Sequence, residues 1–120
     1  MPLKPVAWIA SSRDDLRDFP DDVRAVMGEA IYQAQKGNEH PRAKALKGFG
    51  GRSVLEIVDD SDDDTWRVVY TVRFAGLIYV LHAFQKKSKR GRATPKAVLD
   101  IIRQRLKAAE SHFARTQKED

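Results

Sequence analysis

The chain has 120 residues, enough for one domain with a modest core, and its 42% hydrophobic and 32% charged content is that of a soluble globular protein. It lacks cysteine, which excludes disulfides, thiol nucleophiles and cysteine-ligated metals. A net charge of +5 favours a polyanionic partner such as nucleic acid. The N-terminal apolar run is too short for a signal peptide or membrane span, so we expect a cytoplasmic protein without a membrane partner.

The N-terminal part of the chain predicts one strand and two helices. Residues 6–11 read as a short strand, and Ser11 or Ser12 can cap a brief helix after it. Pro20 suits the first turn of a second helix, which Gly37 ends. The second helix carries an apolar stripe at helical spacing, formed by Val23, Val26, Met27, Ala30, Ile31 and Ala34.

The middle of the chain predicts three further strands. Residues 38–53 read as a polar connection punctuated by glycines, and residues 54–58 as a short strand. Five of the six residues 59–64 are aspartate, which is typical of a solvated loop. Two alternating strand patterns then form a hairpin around Ala75-Gly76, at residues 66–74 and 77–85.

A final helix completes a single domain over residues 1–120. Thr94 and Pro95 are a strong cap and first-turn pair, and residues after Arg115 are expected to fray. The order β-α-α-β-β-β-α predicts a small α+β domain with a mostly antiparallel, four-stranded sheet. One face of the final helix is apolar, through Val98, Ile102, Leu106, Ala109 and Phe113.

The hairpin register predicts a functional patch at one end of the sheet. A two-residue turn at Ala75-Gly76 sets these facing pairs: Tyr70 with Leu81, Val69 with His82, and Arg67 with Phe84. One face, which includes Tyr70, Tyr79 and Leu81, should pack on the two N-terminal helices. The other face, covered in part by the final helix, gathers Arg67, His82, Phe84 and Lys86 at its open end.

This patch suits RNA cleavage through the RNA's own 2′-OH. Arg67 and Lys86 can stabilise charge on the phosphate, and His82 can act as acid or base near neutral pH. Phe84 can stack on an unpaired base. A basic segment follows at once and can grip the backbone, with Lys87, Lys89, Arg90 and Arg92.

Structural interpretations of the same residues stay open. His82 lies among apolar strand residues and is equally compatible with a role in folding. Arg67 can pair with the aspartate loop, and Phe84 is more typical of a core. The three histidines are scattered and the aspartate run has neither EF-hand spacing nor glycine, so we expect no metal and no cofactor.

The blocks WRVVYTVRF, IYVLHAFQKKSKRGRATPKAVLDIIRQRL and ALKGFGG resemble the RelE/ParE toxin superfamily, and its phage-derived HigB-like branch in particular. The resemblance covers about Ala7 to Ala109. It implies a compact α+β toxin that is neutralised by a cognate antitoxin, commonly a helix-turn-helix protein. By position, Arg67 and Lys86 match basic residues of the superfamily, whereas His82 and Lys87 belong to the block of this branch.

The chain departs from the RelE pattern at two places. The strand VLEIV lacks the lysines of RelE, for which Lys44, Lys47 and Arg52 can substitute. Nothing matches the C-terminal catalytic tyrosine of RelE, so the general base stays unassigned. Many members cleave mRNA at the ribosome, which is the function we expect, whereas ParE relatives inhibit DNA gyrase. A nucleic-acid-binding module without catalysis is the third possibility.

Overall fold

A five-stranded sheet with helices on both faces forms the protein. The computed structural model describes residues 2–60, 64–86 and 94–118. Within these ranges, no helix is both long enough and apolar enough to cross a lipid bilayer. The elements follow in the order β1 (Val6–Trp8), α1 (Ser12–Arg17), α2 (Asp21–Gln35), β2 (Ala43–Ala45), β3 (Val54–Asp59), β4 (Thr65–Thr71), β5 (Ile78–Lys86) and α3 (Lys96–Lys118).

The predicted α+β class is confirmed, but the sheet has five strands rather than four. The additional strand is β2, which lies in the segment predicted as a loop and pairs antiparallel with β3. Its three residues read Ala-Lys-Ala, and both residue types are depleted in strands, so the sequence carries no strand signal there. Pairing with β3 stabilises β2 in spite of its composition.

The sheet order is β1-β5-β4-β3-β2, with one parallel pair between β1 and β5 and antiparallel pairs elsewhere. Two apolar layers cover its faces. On one face α1 and α2 pack on the sheet, mainly through Leu16, Phe19, Val23, Met27, Ile31, Ile57, Val68 and Tyr70. On the other face α3 packs through Ile102, Leu106 and Ala109 on Val54, Val69, Tyr79 and Leu81. These two layers make the hydrophobic core.

The predicted hairpin register is confirmed at the end that carries the patch. Arg67 lies opposite Phe84, and Val69 lies opposite His82. β4 ends at Thr71 rather than at Phe74, and β5 begins at Ile78 rather than at Leu77. Residues 72–77 therefore connect the two strands in place of the predicted two-residue turn.

A β-bulge changes the register nearer the turn. The shift falls between Val69 and Tyr70, so Tyr70 pairs with Val80 and not with Leu81. The longer connection no longer fixes the register, which is why the turn-based prediction fails there. The face assignment of half of β5 is therefore wrong: Ile78 and Val80 pack with α1 and α2, whereas Tyr79 and Leu81 pack with α3.

Both helix starts also differ slightly from the prediction. Pro20 and Pro95 each stand just before the first helical residue, outside the first turn. Thr94 is not part of α3, and its hydroxyl accepts a hydrogen bond from Arg67 of β4. The helix itself continues to Lys118, three residues beyond Arg115, after which fraying was predicted.

Two adjacent isoleucines in α3 test the packing of this helix. Ile102 is 0% exposed and Ile101 is 36% exposed. We expect Ile102→Ala to lower the free energy of unfolding by about 2–5 kcal/mol, because it leaves a cavity under the helix. Ile101→Ala should change it by less than about 0.5 kcal/mol. Urea denaturation of both variants measures the difference, and equal losses would contradict the packing of α3.

Candidate nucleic-acid site

Three charged side chains line up across β2, β3 and β4 on the face that α3 covers. Lys44 lies opposite Glu56 in the sheet register, and Glu56 lies opposite Val69. The side chains of these three residues therefore point to the same face of the sheet. Arg67 lies two residues before Val69 and therefore points to the same face. The pleat thus brings one carboxylate between two cations.

Direct contacts join this row to the start of α3. Lys44 Nζ lies 3.8 Å from Glu56 Oε1, and Arg67 Nη1 donates to Glu56 Oε2 at 3.3 Å. The same Nη1 atom donates to Thr94 Oγ1 at 3.1 Å. Arg67 therefore pairs with Glu56 of the neighbouring strand, whereas residues 61–63 of the aspartate loop lie outside the described residues.

The pair of Glu56 and Arg67 is buried, whereas Lys44 reaches solvent. The side chains of Glu56 and Arg67 are 6% and 5% exposed, and that of Lys44 is 60% exposed. Buried charges of opposite sign that are also hydrogen-bonded hold each other in place, because separating them leaves an uncompensated charge in the protein interior. The ion pair with Arg67 therefore holds the Glu56 carboxylate in one position.

A pocket of about 370 Å³ opens beside this row, between β2 and the start of α3. We name it the β2–α3 pocket. Its described lining is Lys44, Ala45, Leu46, Lys47, Glu56, Thr94 and Leu99. The lining joins a carboxylate, a hydroxyl and two lysines to an apolar wall, which suits a ligand with both phosphate and apolar parts.

Lys86 belongs to the same end of the sheet. It lies on β5 opposite Thr65, two residues beyond Phe84, and so faces the side of Arg67. Partial burial lowers the pKa of the Lys86 ammonium below its usual value, and the charge of Arg67 lowers it further, while Glu56 opposes the change. A lysine with a lowered pKa gives up its proton more readily than an exposed one.

The glycine-rich segment that follows β2 carries Lys47 to the pocket. Its anchor is Phe49, which is 8% exposed. Arg73 Nη2 donates at 3.3 Å both to the Phe49 carbonyl and to Ser53 Oγ. Gly48 next to Lys47 has a φ of +95°, a value that favours glycine. These contacts fix the segment against the end of β4.

His82 is held by α3 on the far side of the helix from the pocket. Arg105 Nη1 lies 3.0 Å from His82 Nδ1 and also donates to the Leu81 carbonyl at the bulge. Because arginine only donates, Nδ1 accepts, and the neutral ring carries its proton on Nε2. Leu99 of the pocket and Arg105 are six residues apart, so at about 100° per residue they lie on opposite flanks of α3.

Phe84 packs against the protein on this same sheet face. Its ring stacks on the His82 ring with centroids 4.8 Å apart, and it is half-buried against the core layer under α3. The predicted patch is therefore divided: Arg67 and Lys86 lie toward the β2–α3 pocket, whereas His82 lies toward α1.

Of the two other predicted groups, one pairs away from the pocket and the other lies outside the described residues. Arg52 forms an ion pair with Glu39. Burial and Glu39 raise the pKa of Tyr70 to about 12 against the opposing charge of Arg52, which places Arg52 near the face that α1 and α2 cover. The predicted backbone grip of Lys87, Lys89, Arg90 and Arg92 lies outside the described residues.

Glu56 is the pocket residue that the sequence reasoning did not single out. Glu56 is the one charged residue in the strand sequence VLEIV. The signal was present, because a glutamate in the middle of an apolar strand is almost never buried unless it is paired. Such a residue indicates a buried partner or a site.

Fold and pocket together define a small α+β domain with a cationic pocket between a sheet edge and its C-terminal helix. The chain belongs to the family described as Phage derived protein Gp49-like (DUF891), whose model matches residues 14–107. A solved structure, the toxin–antitoxin complex RelBE2 from Mycobacterium tuberculosis, matches with 13% identity and a TM-score of 0.47, over 73% of this chain and 95% of that chain. No curated protein matches the sequence.

The environment of His82 predicts how stability depends on pH. Burial lowers the pKa of His82 and the nearby charge of Arg105 lowers it further, while Asp15 raises it. The unfolded chain therefore takes up a proton at a higher pH than the folded one. We expect the free energy of unfolding to fall as the pH drops below about 6.5, and to be fully recovered above that value.

The matched variants are His82→Gln and His40→Gln, studied by urea denaturation between about pH 5 and about pH 8. The first should remove this part of the pH dependence, and the second should keep it. An unchanged pH dependence in His82→Gln would show that another group is responsible.

Proposed function

We propose that the protein is the toxin of a toxin–antitoxin pair, of the HigB-like branch of the RelE/ParE superfamily, and that it cleaves mRNA bound to the ribosome. The observation that carries this proposal is the buried Glu56, fixed between Lys44 and Arg67 at the wall of the β2–α3 pocket. A carboxylate and several cations in one pocket are the groups that cleavage through a 2′-OH requires.

Glu56 is the candidate general base. Its carboxylate accepts the proton of the 2′-OH, and the 2′-oxygen then attacks the adjacent phosphorus. The bond from phosphorus to the 5′-oxygen breaks, which leaves a 2′,3′-cyclic phosphate and a 5′-OH end. The sequence left the general base undecided, with His82 as a candidate acid or base, and this proposal gives the role to Glu56. Arg67 supports it by orienting the carboxylate.

The lysines supply charge and a proton. Lys44 and Lys47 line the pocket and stabilise the charge that builds up on the phosphate oxygens. Lys86 is the candidate acid for the leaving 5′-oxygen, because its lowered pKa favours release of its proton. Direct phosphate contact by Arg67 and acid–base chemistry by His82 stay predictions from the sequence.

The proposed partners follow from the toxin assignment. They are mRNA on the ribosome as the target, and a cognate helix-turn-helix antitoxin as the inhibitor. The proposed location is the cytoplasm. Gyrase inhibition and binding without catalysis are the alternatives, and the experiment below separates them.

Replacing the candidate base tests the proposal. Glu56→Gln keeps the shape of the side chain but removes the proton acceptor, so we expect cleavage to slow by about 10²- to 10⁴-fold. Glu29→Gln is the matched control, since Glu29 lies on α2, bound to Gln33, on the other side of the sheet. Primer extension on a defined mRNA, with and without ribosomes, measures the cuts, and thermal unfolding checks that both variants fold.

The outcomes are distinct. Cuts by the wild type and Glu29→Gln, but not by Glu56→Gln, support the mechanism. Equal cutting by all three proteins would remove Glu56 from the mechanism. Wild-type protein that never cuts RNA but blocks DNA supercoiling would favour a gyrase inhibitor, and protein that only binds RNA would favour a binding module.

A further inference from the structure

Arg103 is held in one orientation at the margin of the β2–α3 pocket. Its guanidinium carbon lies over the Phe49 ring, 5.3 Å from the centroid. Nη1 lies 3.1 Å from Asp100 Oδ1, and Nη2 would be 3.4 Å from a Cβ at Gly48. An aromatic ring and a carboxylate thus hold the guanidinium, and the absence of a side chain at Gly48 leaves room for it. A guanidinium held in this way loses less entropy when it contacts a ligand.

Two connections place this guanidinium next to the pocket. Arg103 is one helical turn after Leu99, which lines the pocket. Gly48, against which it lies, directly follows Lys47, another lining residue. The side chain of Arg103 is still 47% exposed, so solvent reaches it although Phe49 lies beneath.

We propose that Arg103 is a stacking platform for an unpaired nucleobase adjacent to the phosphate in the β2–α3 pocket. The proposal rests on RNA being the ligand of that pocket. A guanidinium is planar, delocalised and weakly hydrated, and it stacks on aromatic faces, as it does here on Phe49. Single-stranded RNA presents bases whose faces are stacked on arginine planes in this way.

Arg103 takes the role that the sequence gave to Phe84. The ring of Phe84 is already stacked on His82 and packed under α3. In contrast, Arg103 combines a rigid support with an exposed position beside the lysines of the pocket. The platform is a binding group, and it does not take part in proton transfer.

The test compares Arg103→Lys with Lys107→Arg. The first keeps the charge but removes the plane, and the second changes an exposed residue one turn further along α3. The ligand is a fluorescent single-stranded RNA with 2′-O-methyl groups, which lacks the attacking 2′-OH and cannot be cut. We expect Arg103→Lys to weaken binding by about ten- to a hundredfold, as stacking on one base predicts. Lys107→Arg should bind as the wild type does.

Salt dependence separates stacking from charge. The number of phosphate contacts sets the slope of log affinity against log salt concentration. A variant without the charge therefore separates the two roles: Arg103→Gln keeps a planar group, so a stacking role leaves the slope unchanged, whereas loss of a phosphate contact lowers the slope by about one. A lowered slope in Arg103→Gln would assign Arg103 to the phosphate backbone and overturn the platform.

A scan with abasic nucleotides separates stacking from an indirect effect through the glycine-rich segment. One RNA is made for each position, with the base removed at that position alone. If Arg103 stacks on a base, wild type and Arg103→Lys bind equally to the RNA that lacks this base. If the loss is the same for every RNA in the series, Arg103 acts by positioning Lys47, and the platform is wrong.

The failure of the platform differs from the failure of the proposed function. Absence of RNA binding by the wild type overturns the platform, because a preformed stacking site needs no ribosome, while ribosome-dependent cuts would still support the toxin. The platform is supported, and the endoribonuclease is not, if the wild type binds RNA without cutting it and if wild type and Arg103→Lys bind equally to one RNA of the abasic series.

Discussion

The buried ion pair between Glu56 and Arg67 is the constraint on which the site depends. It joins β3 to β4, and the hydrogen bond from Arg67 to Thr94 extends it to the start of α3. Removing one partner of such a pair typically costs about 3–5 kcal/mol, because the other charge stays buried. The same side chains therefore form the wall of the pocket and fix the start of α3 against the sheet. A change in the site would also change the packing of this helix.

The helix α3 separates two groups of contacts on this face of the sheet. Its buried stripe, with Ile102 and Leu106, holds the helix in place. On one flank, Leu99 and Arg103 border the pocket. On the other flank, Arg105 binds the bulge in β5 and His82. His82, which the sequence offers as a candidate acid or base, lies in three dimensions at the contact between this helix and the sheet.

Periodicity identified most elements but not the contacts between them. The pairing of Arg67 with Phe84 agrees with the prediction because the bulge in the hairpin offsets the one-residue shift near the turn. β2 was not predictable, since three residues with low strand preference form a strand only through their neighbour. The bulge near Tyr70 carries a hydrogen bond from Arg105 to the Leu81 carbonyl, a contact between residues 24 positions apart that periodicity does not reveal. Glu56 could have been found from its apolar neighbours, whereas the stack of Arg103 on Phe49 joins residues with no local signal.

The parallel pairing of β1 with β5 has a consequence for how the chain folds. Val6 pairs with Ile78, so the first strand finds its partner only after most of the chain has been made. Pairing of β1 with β5 closes a long loop, which costs conformational entropy, and it occurs late. The antiparallel pairs from β2 to β5, in contrast, join strands that are near neighbours in the sequence. On a translating ribosome β1 therefore waits unpaired, and the pocket itself is complete only when α3 has emerged. Until then, a nascent chain of this protein lacks the wall of the pocket that Leu99 of α3 supplies.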